Sequence, residues 1–131
     1  MKNHLYSELR PETIRRIWQL EKLDEFDVTQ IEKGILSLLA PWSGQSLLYG
    51  KSILDLIENS IDKDFEIIIV DNVDFISREK QIELIGSVCH GYFESIWIEN
   101  GKVEFIYKDN NQATELPKFR DFLDKKLNKS R

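Results

Sequence analysis

The chain has 131 residues, 41% of them hydrophobic and 31% charged, with a net charge of −5. That length bounds one domain with a core of its own, and the acidic balance disfavours wholesale binding to nucleic acid or to an anionic membrane. No apolar run is long enough to span a bilayer, the N-terminus has no apolar signal region, and the single cysteine, Cys89, has no disulfide partner, so the expected setting is the cytoplasm.

Pro11 suits a first helical turn, and Ile14, Ile17, Trp18 and Leu20 follow at near-helical spacing. The pattern predicts a helix ending near Asp24. Asp27 with Gln30 matches an N-cap and its reciprocal partner. Ile31, Ile35, Leu38 and Leu39 then predict the buried face of a second helix, stopped by Pro41. Residues 1–40 thus read as a helical N-terminal part. A turn-rich break, Pro41 to Ser46, leads to a third helix with Leu47, Leu48, Ile53, Leu56, Ile57 and Ile61, starting at Ser46 or Ser52.

Phe65 to Val70 is a short apolar run, rich in β-branched residues, with apolar side chains on both faces. That is the pattern of a central strand covered by helices on both sides. It ends in Asp71 and Asp74, and α/β sheets gather ligand chemistry at such strand ends. Ser77 caps a fourth helix, with Ile82, Ile85, Val88 and Cys89 inward and Gly91 as its C-cap.

Tyr92–Glu99 and Lys102–Lys108 read as strands joined by Asn100-Gly101, a strong hairpin signal. A two-residue loop pairs Ile98 with Val103 and Ile96 with Phe105 on one face. The other face then carries Trp97, Phe93, Ile106, Glu99 and Glu104. That set is the candidate partner-binding face, unless the last helix covers it. Asp109 to Thr114 is a polar loop. The last helix, within residues 116–128, buries Phe119, Phe122, Leu123 and Leu127 and ends in Lys125, Lys126 and Lys129, which suit the helix dipole.

The order α-α-α-β-α-β-β-α predicts an α/β fold in one domain over 1–131, with α+β as the neighbouring class. The sheet should be small and mixed, a β-α-β crossover plus the hairpin, flanked by about five helices. Phe65–Val70 should lie centrally and parallel to Phe93–Ile98.

Two segments carry a family resemblance. Trp42-Ser43-Gly44-Gln45-Ser46 resembles a signature loop, and Ile67 to Asp74 resembles a Walker B strand running into a D-loop, with one helix between them. Together, over residues 42–108, they resemble the C-terminal lobe of an ABC-type ATPase head of the SMC and RecN class. The resemblance implies that Ser43 and Gly44 meet the γ-phosphate of a nucleotide held by another subunit. It also implies that Asp71 supports Mg²⁺ through water and that Asp74 lies in the D-loop. Asn72 stands where the family has its catalytic glutamate, Gln45 follows Gly44 directly, and no Walker A loop is present. The implied function is a non-catalytic or half-site nucleotide switch, completed by a Walker A-bearing partner. ATP and Mg²⁺ would bind only in that complex, and the isolated chain would hydrolyse no ATP.

The alternative is an acidic immunity or inhibitor protein that neutralises a basic toxin. Tyr49-Gly50 with Ile53, Leu56 and Glu58 resembles the binding helix of barstar-type inhibitors, and Asp62, Asp64, Glu66, Asp71 and Asp74 would meet a basic active site. No catalytic set stands out. His4 and His90 lack metal-ligand spacing, so no metal is expected, and Cys89 belongs to an apolar set rather than pairing with His90.

Overall fold

The apolar run ending at Val70 does form a strand, and it is flanked on both sides. The computed structural model describes residues 4–20, 26–108 and 114–128. It contains five strands: β1 (Ile17–Leu20), β2 (Lys33–Leu38), β3 (Glu66–Val70), β4 (Ser95–Glu99) and β5 (Lys102–Tyr107). Four α-helices accompany them: α1 (Pro11–Arg15), α2 (Gly44–Glu58), α3 (Arg78–Ile85) and α4 (Glu115–Leu127). The sheet order is β1-β3-β2-β4-β5, with β1 and β2 parallel to β3, and β4 antiparallel to both β2 and β5. The fold is α/β with a mixed sheet.

Two of the predicted helices contain strands. Only Pro11–Arg15 is helical in the first, and the chain extends into β1 at Ile17. Asp27 does cap, accepting from Thr29 N at 3.0 Å, but the turn it starts is a 3-10 turn, Val28–Gln30, that stops at Ile31. The supposed helix face after it is β2. Ile35 and Leu39 pack on one side of the sheet, while Leu36 and Leu38 pack on the other. A strand buried on both faces is apolar throughout, and such a run also satisfies helical spacing. Gly34 marks the difference: a Cβ there would sit 2.9 Å from the Glu66 carbonyl oxygen of the neighbouring strand. The predicted helix end near Asp24, the loop residues 109–113 and Lys129 lie outside the described residues.

Those strands change the crossover. Strands β2 and β3 are the parallel pair joined through α2, whereas β4 lies beyond β2 and is not paired with β3. The expected parallel pairing of Phe65–Val70 with Phe93–Ile98 is therefore replaced by an antiparallel β2–β4 ladder. α3 ends at Gly86, so Val88 and Cys89 lie past the helix, and Gly91 is not its cap. Within α2, Ile53, Leu54 and Ile57 face inward, whereas Leu48 is exposed and Ile61 lies beyond the helix.

Helices cover both sides of the sheet. α2 and α4 pack on the face carrying Ile35, Ile67, Ile69 and Trp97. Leu84 and Ile85 of α3 pack on the face carrying Leu36, Ile68, Val70, Ile96 and Ile98. In the hairpin, Glu99 pairs with Lys102 and Ile98 with Val103 as expected. A bulge between Trp97 and Ile98 then shifts the register, so Trp97 opposes Phe105 and Ile96 opposes Ile106. One extra residue on β5 is enough to move every later side chain to the other face.

Candidate functional site

Parallel neighbours release the chain at the same edge of a sheet, here just past Leu38 and Val70. From β2 the chain turns through Pro41 and Trp42 into α2. From β3 it turns through Asp71 to Asp74. A third segment, Ser87 to Glu94, arrives at this edge to enter β4, and Leu38 N donates to Glu94 O at 2.8 Å.

Ser43 is the N-cap of α2. Its Oγ accepts from Ser46 N at 3.2 Å and donates to Gly91 O at 2.7 Å. Ser46 Oγ, fully buried, accepts from Ala40 N at 3.0 Å. Asn72 caps the following 3-10 turn by accepting from Asp74 N at 3.0 Å. Asp71 accepts from the Tyr6 hydroxyl at 3.1 Å. Asp74 accepts from Trp42 Nε1 at 3.2 Å, which links the two turns.

The third segment is wrapped around a carboxylate. Glu94 has no exposed surface. It accepts from His90 N at 2.6 Å, from Tyr92 N at 3.1 Å and from the Cys89 thiol at 2.9 Å. Gly91 and Phe93 both have left-handed backbone, with φ of 87° and 61°. For phenylalanine that conformation is strained, and it persists only where the surroundings hold it. Here they do: Phe93 is buried over Gly50, whose missing Cβ would come within 2.8 Å of the ring. Tyr92 stacks on Tyr49 of α2 at 5.9 Å. Burial, then the Glu94 charge, pushes the Cys89 thiol well above its ordinary range, so it stays protonated and is a poor nucleophile.

The structure thus brings Ser43, Gly44, Asp71, Asn72 and Asp74 to one edge. It also gives most of them internal work. The Ser43 hydroxyl has a donor and an acceptor within the fold, and the Asp71 carboxylate takes the Tyr6 hydroxyl. Among the described residues, no three His, Cys, Asp or Glu side chains gather as metal ligands, and no helix is long and apolar enough to cross a membrane.

The hairpin set does not come together as a surface. Trp97 and Phe93 are fully buried, Trp97 beneath Phe122 of α4. The shifted register puts Ile106 on the opposite face, where it is exposed. Glu99 and Glu104 instead hold Lys126 of α4, at 3.0 and 2.8 Å. The predicted partner face is in fact the seat of the last helix.

Sequence reasoning passed over Glu94 at this edge and gave Trp42 no role beyond opening the signature-like loop. Trp42 is 59% exposed although its indole is hydrogen-bonded. An aromatic between Pro41 and Ser43, inside a turn, was the available signal. Nothing in the sequence marked Glu94, because its partners are mostly the backbone of its own loop.

No protein-family model and no curated protein matches the sequence. Among solved structures the chain is similar to a designed protein, with a TM-score of 0.58 and 15% identity over 82% of this chain and 94% of that one. It is also similar to the reduced thioredoxin pre-protein of Schistosoma mansoni, with a TM-score of 0.54 and 16% identity over 83% of this chain and 96% of that one. At these identities the likeness is one of fold.

Proposed function

We propose that the chain is a non-catalytic protein-binding module on a thioredoxin-like fold, engaging its partner through the corner around Trp42. The observation that carries this is Trp42 itself, a large aromatic side chain left 59% exposed yet held in place by Asp74. Exposed aromatic side chains that are already fixed lose little freedom on binding, and Trp is enriched among interface hot spots.

Chemistry of the dithiol kind has no residues to run on. Exchange needs an attacking thiolate, and a Cys-X-X-Cys motif supplies two thiols. This chain has Ser43-Gly44-Gln45-Ser46 at the start of α2, and its one cysteine, Cys89, is half-buried and held protonated. A Walker A-bearing subunit and a basic toxin both fall within the proposed class of partner.

The test is retention of the native partner from host extract by tagged protein, with the partner identified by mass spectrometry. Trp42→Ala should lose that protein, while Trp18→Ala, an exposed tryptophan on edge strand β1, should keep it. Both variants should unfold within about 0.5 kcal/mol of the parent, as surface substitutions do. Equal retention by Trp42→Ala would remove the proposal, and the identity of the captured protein separates nucleotide-switch partner from toxin.

A further inference from the structure

The Trp42 ring is held at two ends. Its Nε1 donates to Asp74 Oδ1 at 3.2 Å, and its Cη2 lies 3.1 Å from where a Cβ on Gly91 would stand. The ring therefore has a fixed orientation while much of it stays open to solvent. The carboxylate that fixes it is exposed, and a second one, Asp71, is half-buried on the same turn. The chain as a whole carries −5.

These features select among partner chemistries. An acidic segment would meet Asp74 and the net negative charge. A purely apolar segment would cover Asp74 and strip its water without replacing it. A cation gains twice, from the negative face of the indole and from the carboxylate at its edge. Between the two cationic side chains, the guanidinium is flat. It stacks on a ring and still directs N–H groups sideways to a carboxylate, which an ammonium does less well.

Resting on the reading of this corner as the partner-docking surface, we propose that it receives an arginine side chain of the partner, stacked on Trp42 and paired with Asp74. The Oδ1 of Asp74 stays with the indole N–H, and Oδ2 takes the guanidinium.

The probe is the peptide acetyl-Gly-Arg-Gly-Arg-Gly-amide, compared with versions carrying lysine or citrulline in place of arginine. Citrulline keeps the planar shape and removes the charge. The readout is the indole N–H signal of Trp42 in ¹H–¹⁵N spectra, assigned by its loss in Trp42→Phe. The arginine peptide should move that signal saturably and leave the buried Trp97 signal in place. Citrulline, and separately Asp74→Asn, should weaken binding about tenfold, and lysine less than that. Equal binding by the citrulline peptide would overturn the proposal, as would the absence of a saturable shift up to about 10 mM peptide. Either failure leaves the docking reading standing if Trp42→Ala still loses the native partner. Retention of the partner by Trp42→Ala, with the arginine shift present, would remove the docking reading instead.

Discussion

Trp97→Ala will cost roughly 3–5 kcal/mol of folding stability, the range for emptying a large aromatic site in a core. Trp97 has no exposed surface. It lies between Phe65 of the strand entry, at 5.8 Å, and Phe122 of α4, at 6.4 Å. Its Nε1 donates to Glu99 at 2.8 Å, and Glu99 also holds Lys126. The substitution therefore removes a packed side chain and loosens the ion cluster that pins the last helix. Urea unfolding measures it, as a lowered midpoint with the slope retained. A cost below about 1 kcal/mol would mean that α4 does not seal this face.

Glu94→Ala should be nearly as damaging, at about 3–5 kcal/mol, although it deletes no large side chain. The substitution leaves His90 N, Tyr92 N and the Cys89 thiol without their acceptor. These three bonds are part-buried, and a buried donor left unpaired costs about 1–3 kcal/mol. It also removes the holder of a loop strained at Phe93. Glu94→Gln keeps an acceptor oxygen and should recover part of the loss. Cys89 gives a second readout. Burial is the main cause of its raised pKa and the Glu94 charge the next, so loss of Glu94 should speed its reaction with a thiol reagent in the folded state. Unchanged stability together with unchanged Cys89 labelling would show that Glu94 does not hold this loop.

The sequence and the structure agree where one signal dominates. β3 was legible because charged residues bracket a run that is apolar on both faces. The Asn100-Gly101 turn was legible because left-handed backbone is needed there, and Asn100 and Gly101 do have φ of 55° and 75°. β2 is the same kind of strand as β3 and was not legible. Ile31, Ile35, Leu38 and Leu39 satisfy helical spacing inside an apolar run, and an Asp27 cap precedes them. The close approach of Glu66 to Gly34, which excludes other readings, exists only once the two strands are paired. The hairpin bulge is of the same kind: nothing local to Glu104 announces it, yet it decides which face Ile106 occupies.

The candidate site was half legible. Ser43, Gly44, Asp71, Asn72 and Asp74 stood out from their places at element ends, and parallel pairing brings those ends together. Their local caps, Ser43 for Ser46 N and Asn72 for Asp74 N, are within reach of the sequence, but the distant partners are not: Gly91 for Ser43 and Tyr6 for Asp71. Trp42 gained its meaning from Asp74 and Gly91 in the same way.

The sheet order also sets an order of assembly. β4 and β5 are neighbours along the chain and close cheaply. β2 reaches β3 over α2, with Ile35 opposite Ile67. β1 must join the far side of β3, Ile17 opposite Ile67, after β2, α2 and everything between have been laid down. β1 adds only one four-residue ladder to the sheet, and no strand among the described residues lies along its other edge. The N-terminal strand is therefore the last piece to dock and the first to leave. Native-state hydrogen exchange should find the amides that β1 and β3 share opening well below the global free energy, while those between β2 and β4 open only with the whole molecule. Equal protection across both ladders would make β1 part of the folding core. Otherwise the sheet has a working unit of four strands and a detachable fifth.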